Sequence, residues 1–198
     1  MKRVGFIGWR GMVGSVLMQR MREENDFALV ESVFFNTSQK GGKGPDIGRE
    51  TSPLKDAYNI DELKAMDILI SCQGGDDTSA VFGELRQAGW QGYWIDAAST
   101  LRMGQDAVII LDPVNLPVIK QALHDDVKNY IGGNCTVSLM LMAMGGLFEE
   151  DMVEWMSDMS YQAASGAGEQ NRRELLLHMG EAQRVAIDLV GGPAADSR

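Results

Sequence analysis

The sequence predicts an α/β protein: a doubly wound, mainly parallel sheet, followed by an incomplete α+β region. Three observations carry this reading. Short apolar segments alternate with segments of helical period over roughly the first 111 residues. Strand–helix–strand order of this kind builds a parallel sheet with right-handed crossovers. A glycine-rich turn joins the first strand to the first helix, and beyond residue 132 the alternation stops.

Each element follows from its residues. Val4–Ile7 is a short buried strand, followed at once by Gly8-Trp9-Arg10-Gly11-Met12-Val13-Gly14. The next segment puts Val13, Val16, Leu17 and Met21 on one helix face, with Gln19, Arg22 and Glu23 opposite. Glu31–Phe35 is the second strand, and 36–53, rich in Gly, Lys and Ser, is loop. A short helix over 61–66 leads into the strand 67–72, which Gln73-Gly74-Gly75 closes. Thr78–Ala88 is helical, and 93–95 and 108–111 are further strands. Gly132-Gly133-Asn134-Cys135 is a turn. It leads into a helix over 136–148 that is apolar nearly all round and so is expected to be buried. Residues 153–163 are β-like around Trp155 and Tyr161. Ser165-Gly166-Ala167-Gly168 is a second glycine turn, and 172–190 is a helix stopped by Gly191-Gly192-Pro193. One strand and two helices are too little for a second closed sheet. The expected domains are therefore 1–133, binding a nucleotide, and 134–198, the start of a second domain.

Composition narrows the function. The 198 residues carry 18 basic and 28 acidic side chains, a net charge of −10, with 44% apolar and 23% charged residues. That balance is globular. Its sign argues against general electrostatic binding to nucleic acid or to an anionic membrane. Glycines and Arg10 interrupt the first apolar run too early for a signal peptide, and the stretch 137–148 is too short to span a bilayer. Two cysteines, Cys72 and Cys135, and two histidines, His124 and His178, give no metal-ligand spacing. A cytoplasmic protein with no metal is the expectation. The methionines between Met140 and Met159 are core filler.

Several positions carry chemistry. Gly8, Gly11 and Gly14 stand at a strand-to-helix junction, where glycine lets backbone approach a pyrophosphate at the positive helix end. The spacing is G-x-x-G-x-x-G rather than the commoner G-x-G-x-x-G, and the alternative is a merely tight turn. NAD-type sites place Asp or Glu at the end of the second strand. Here that position reads Asn36-Thr37-Ser38-Gln39-Lys40, with no carboxylate and with hydroxyls that can donate to a 2′-phosphate, and Arg10 of the glycine loop can add charge. This favours NADP over NAD, against the alternative of an ordinary polar loop. Cys135 stands at a helix start, where free N–H groups and the helix dipole favour a thiolate nucleophile; the alternative is a small buried residue. Cys72, inside an apolar strand, fits that alternative. Arg102, in a loop after a strand, suits a phosphate or carboxylate, or is a solvated surface arginine. His178 is a helix-face residue.

Four segments resemble bacterial aspartate-semialdehyde dehydrogenase: Gly5–Ser15, Ile95–Ser99, Gly133–Ser138 and Tyr161–Gly166. The resemblance runs in one register from Met1 to about Pro193. It implies a Rossmann-type domain and NADPH-dependent conversion of 4-phospho-L-aspartate to L-aspartate 4-semialdehyde, on the route to lysine, threonine and methionine. It also implies that Cys135 forms a thioester as phosphate leaves, with phosphate on Arg102 and Asn134 and substrate near Gln162. Cofactor falls on Arg10, Gly11, Met12, Val13, Thr37, Ser38, Gln73, Ser165, Gly166 and Pro193. Members of that family continue well past residue 198, where they carry the acid/base histidine, a substrate arginine and the face of a homodimer. The expectation is that this chain by itself does not turn over. The alternative is a non-catalytic NADP-binding remnant or partner subunit.

Overall fold

The computed structural model describes residues 1–190. The chain divides into two compact units, one of Met1–Glu150 and one beginning at Asp151.

The first unit is built on a seven-stranded sheet. In chain order it contains β1 (Lys2–Ile7), α1 (Met12–Glu23), β2 (Val30–Asn36), β3 (Lys55–Asp56), α2 (Ile60–Lys64) and β4 (Ile68–Ser71). There follow α3 (Gly75–Gln87), β5 (Tyr93–Asp96), β6 (Ala107–Ile110), α4 (Asp112–His124), β7 (Asn129–Gly132) and α5 (Cys135–Glu149). The spatial order is β3-β2-β1-β4-β5-β7-β6, and every pair is parallel. From β1 the chain winds outward to β2 and then crosses back to β4 on the other side. This reversal opens a crevice at the C-terminal ends of β1 and β4, where ligands of such sheets bind.

Period-two alternation explains the two cores. Val4 and Phe6 of β1 and Phe34 of β2 pack with Met18 of α1 and Phe27 on one face. Ile7, Val33 and Phe35 pack with Leu69, Val81, Leu85, Trp90, Trp94 and Ile131 on the other. Both faces are covered, so the strands read as nearly continuous apolar runs rather than as half-polar ones. Trp94 anchors the second face, edge-on to Phe82 at 5.4 Å and to Trp90 at 6.4 Å between ring centroids.

Some expectations need correction. The buried face of α1 is Gly14 and Met18, with Leu17 and Met21 packed beside them, while Val13 and Val16 are exposed. The face is rotated because Gly14 must press against the turn before it. Three elements go unread in the sequence: the two-residue β3, α4 and β7. Pro113 and Pro117 disguise α4, which is two helical pieces joined at Asn115 (φ −125°, ψ 28°). The Asn115 side chain bridges that joint, accepting from Leu111 N and donating to the Ile109 carbonyl. The four-residue β7 inserts between β5 and β6. The helix α5 forms where expected, but none of its residues is buried, and Leu139 is 69% exposed. It packs beside α4 and so belongs in space with the sheet, although the sequence reading groups it with the second region.

In the second unit, residues 153–163 form no strand. Trp155, Met159 and Tyr161 are exposed, and a strand without a neighbour leaves its N–H and C=O groups unpaired. A 3-10 turn at Ala164–Ala167 and the helix α6 (Glu169–Val190) complete the described part. The expected stop at Gly191-Gly192-Pro193 lies outside the described residues. Among the described residues no helix is long and apolar enough to cross a membrane.

Candidate nucleotide cleft and cysteine site

The crevice at the switch point is a cleft of about 260 Å³ lined by Gly8, Trp9, Arg10, Gly11, Phe35, Asn36, Thr37, Ser38, Cys72 and Gln73. Six residues singled out from the sequence thus share one cavity. Gly8 has φ +73°, a left-handed conformation that glycine adopts without a Cβ penalty. Its amide neighbourhood is closed by the adjacent strand, since Cys72 N donates to the Ile7 carbonyl at 2.9 Å. Gly11 N donates to the Gly8 carbonyl at 3.0 Å, tightening the turn. A Cβ on Gly14 would meet the Gly8 carbonyl and lie 2.6 Å from Trp9 Cα, so α1 approaches the turn as closely as it does only with glycine there.

Gly11 is the N-cap of α1 and supplies no capping side chain. The N–H groups of Met12, Val13 and Gly14 in the first turn have no carbonyl within the helix to bond. Together with the helix dipole they give this end of α1 a partial positive charge, so the first turn could hold an anion. No acidic side chain occupies that first turn. Arg10 adds a cation: its Nη1 donates to Gln39 Oε1 at 2.7 Å, and its guanidinium lies 5.4 Å from the Trp9 ring centroid. Arg10 is therefore held toward the loop after β2, next to Thr37 and Ser38. The turn there is closed by Asn36 Oδ1, which accepts from Ser38 N (2.9 Å) and Ser38 Oγ (3.2 Å). One acid is brought near by topology alone. Asp56 of β3 pairs in register with Asn36, but it faces Lys40 at 3.7 Å.

A second group of residues gathers where β5 and β7 end. Cys135 is exposed and is the first residue of α5. Asn134 is its N-cap, accepting from Val137 N at 3.1 Å through Oδ1, which leaves the amide NH2 for another partner. Arg102 is half-buried, and its Nε donates to the Gly132 carbonyl at 3.0 Å, three residues before Cys135. Cys72 differs from Cys135 in kind. It is half-buried beside Gly8, and burial, aided by the charge of Asp96, pushes its thiol up to about 11. The sequence reading placed Cys72 inside the strand, whereas β4 ends at Ser71 and Cys72 lines the cleft.

The remaining candidates lie elsewhere. Gln162, Ser165 and Gly166 belong to the second unit, in and before the 3-10 turn, where Gly166 N donates to the Ala163 carbonyl at 3.0 Å. Pro193 lies outside the described residues. His124 is exposed beside Asp125, and His178 is exposed beside Glu174. His124 ends α4, which leads into β7 from its N-terminal side, so it stands at the edge of the sheet opposite Cys135. Sequence reasoning did not single out Trp9, Phe35 or Asn36 as lining residues. The indole Nε1–H of Trp9 bonded to the Phe35 carbonyl at 3.2 Å is a tertiary fact with no sequence signal.

Residues 3–122 match the family described as semialdehyde dehydrogenase, NAD binding domain. Among solved structures the chain is similar to aspartate semialdehyde dehydrogenase from Francisella tularensis, with 49% identity and a TM-score of 0.85. That match covers 99% of this chain and 52% of the other. It is also similar in fold to aspartate semialdehyde dehydrogenase II from Vibrio cholerae, at 22% identity and a TM-score of 0.66, over 100% of this chain and 55% of that one. A probable aspartate-semialdehyde dehydrogenase from Pseudomonas aeruginosa matches at 18% identity and a TM-score of 0.66, over 100% of this chain and 56% of that one. The chain spans about half the length of these relatives.

Proposed function

We propose, from the premise that this chain belongs to the semialdehyde dehydrogenase family, that it binds NADP(H) at the glycine cleft and carries the nucleophile of a phosphorylating aspartate-semialdehyde dehydrogenase. The observation that carries the proposal is Cys135, exposed as the first residue of a helix, with Arg102 bonded to the carbonyl three residues before it.

The cleft fits the cofactor. Gly8 and Gly14 leave a cradle that a Cβ would fill, the first turn of α1 offers unbonded N–H groups, and Arg10 supplies a cation beside Thr37 and Ser38. Gly8, Gly11, Met12 and Val13 would hold the pyrophosphate, and Arg10, Thr37 and Ser38 the 2′-phosphate, with Gln73 on the opposite wall. Ser165, Gly166 and Pro193 are further candidates for cofactor contacts. When bound there, NADPH supplies the hydride that converts a thioester to an aldehyde.

The chain's own residues do the rest. The Cys135 thiolate attacks the C4 carbonyl carbon of 4-phospho-L-aspartate, the bond from C4 to the phosphate oxygen breaks, and phosphate leaves with the electron pair. The C4–Sγ bond of the thioester so formed breaks when the aldehyde is released, which restores the thiolate. The Arg102 guanidinium balances charge on the departing phosphate, the Asn134 amide NH2 donates a hydrogen bond to it, and Gln162 is a further candidate for substrate contact. The product is L-aspartate 4-semialdehyde, an intermediate for lysine, threonine and methionine. We assign the functional boundary to 133/134, the location to the cytoplasm, and the working assembly to a homodimer.

Calorimetric titration tests the cofactor site. NADP(H) is expected to bind more tightly than NAD(H). Arg10→Ala removes one charge-assisted bond, worth about 1.5–3 kcal/mol, and should weaken NADP about 10- to 100-fold while leaving NAD nearly unchanged. Equal affinity for both cofactors in the unaltered chain would overturn the specificity.

A second reading, a non-catalytic NADP-binding subunit, is favoured by one observation. In the first unit no histidine stands at the Cys135 edge of the sheet. General acid/base help is worth about 10²–10⁴-fold. The 198-residue polypeptide prepared by itself is therefore expected to bind NADPH without turnover. The assay is NADP reduction with semialdehyde and phosphate, and turnover at the rate of a complete dehydrogenase would exclude this expectation.

A further inference from the structure

Asp96 ends β5 as a carboxylate only 2% exposed. Oδ2 accepts from Thr78 Oγ1 at 2.7 Å and from Trp94 Nε1 at 3.1 Å, and Oδ1 accepts from Ala98 N at 2.8 Å. All three donors are neutral. Burying a carboxylate without a cationic partner is costly, and an apolar side chain would fill such a space at lower cost if filling were the only need. The charge therefore calls for an account beyond packing.

The residues after Asp96 supply that account. Ala97 N donates to the Ser71 carbonyl at 3.0 Å, and Thr100 Oγ1 donates to the Gly75 carbonyl at 3.2 Å. Arg102 N closes the turn on the Ser99 carbonyl at 3.0 Å, and Arg102 Nε then reaches the Gly132 carbonyl. Thr78, which sits in the first turn of α3, ties the same carboxylate to the helix that follows Gln73. One side chain thus joins the end of β5, the start of α3 and the turn bearing Arg102.

We propose that Asp96 is a positioning residue, whose carboxylate takes three donors at once and so sets the turn that lays Arg102 against the Gly132 carbonyl beside Cys135. The charge matters because a carboxylate accepts at both oxygens, whereas an amide accepts at one and donates at the other. In Asp96→Asn the amide NH2 confronts either the Trp94 indole N–H or the Ala98 N–H, whichever way it turns. The variant keeps the shape of the side chain and breaks only the pattern of donors and acceptors.

Exchange of the Arg102 Nε–H, followed by nitrogen-15 NMR on the whole 198-residue chain, tests this directly. In Asp96→Asn it should exchange at least tenfold faster than in the unaltered chain. The Trp90 Nε1–H, bonded to the Met66 carbonyl at 2.7 Å in the same core, should stay within twofold. Thr78→Val removes one donor and is nearly isosteric, so it should give a smaller acceleration in the same direction, and it decides the matter alone if Asp96→Asn does not fold. Unchanged Arg102 exchange in the folded variants overturns the proposal. So does equal acceleration at Trp90, which would mean a general loss of stability. A titration with inorganic phosphate adds the functional arm, with binding expected to weaken at least tenfold in Asp96→Asn. That arm rests on reading Arg102 as a phosphate ligand. If the unaltered chain binds no phosphate that reading fails, while the exchange measurement still judges the role of Asp96.

Discussion

At pH 7 iodoacetamide should modify Cys135 at least a hundredfold faster than Cys72. The thiolate is the reactive form, and the two thiols differ in both access and environment. Cys135 is exposed as the first residue of α5. Cys72 is half-buried, and burial together with the Asp96 charge raises its thiol to about 11. A thiol with a pKa of about 11 is only about one part in 10⁴ thiolate at pH 7. The direction of the pH dependence follows. A raised thiol pKa keeps the neutral form dominant to higher pH, so Cys72 labelling should climb about tenfold per pH unit and begin to level only near pH 11. Short labelling pulses between pH 7 and 10, read by peptide mass spectrometry, give both rates. Equal rates at pH 7, or Cys72 labelling first, would remove the basis for assigning Cys135 as the nucleophile.

Gly8→Ala should abolish measurable NADPH binding, a loss of at least about 100-fold or roughly 2.7 kcal/mol. The residue holds φ +73°, and a Cβ there would lie 2.5 Å from Gln73 N and 2.7 Å from the Cys72 carbonyl carbon. Those are backbone atoms of the neighbouring strand end, so no rotamer change relieves the contact. Strain of about 1–3 kcal/mol adds to the clash. The chain responds by separating the ends of β1 and β4, the two walls of the cleft. Gly83→Ala is the matched control. Gly83 is exposed in α3, and an added methyl group would meet nothing within 4 Å, so the change should stabilise the helix by about 0.5–1 kcal/mol. Calorimetry for binding and thermal melts for stability separate the two effects. NADPH binding by Gly8→Ala within a few-fold of the unaltered chain would mean that the cofactor does not use this turn.

Much of the cleft was legible in the chain because its parts are contiguous. The Gly8–Gly14 turn and the Asn36–Lys40 loop each announce themselves by residue type at the end of an apolar strand. The structure brings them together because β1 and β2 are adjacent and parallel. Asp56 was not legible in this way. It lies twenty residues beyond Asn36, and only the two-residue β3 sets it in register there. The fused helix α4 was hidden by prolines that normally signal a break, and β7 by its ends, since only Tyr130 and Ile131 stand between the polar Asn129 and Gly132. The Asp96 network was likewise silent, because Thr78, Trp94 and Ala98 meet the carboxylate from different elements.

The alternation of strand and helix, the glycine turn, the absence of a strand-end acid and the cysteine at a helix start could all be read from neighbouring residues. Each is a local property, set by side-chain period, by φ/ψ preference or by a cap within a few positions. Burial is different, because it belongs to pairs of surfaces. The apolar helix α5 and the β-like residues 153–163 have the composition of core, yet α5 has no buried residue and 153–163 forms no strand. An apolar face is removed from water only when another element covers it, and a strand closes its hydrogen bonds only against a neighbour. Which partner comes to which face is decided by the tertiary arrangement, and composition cannot supply it.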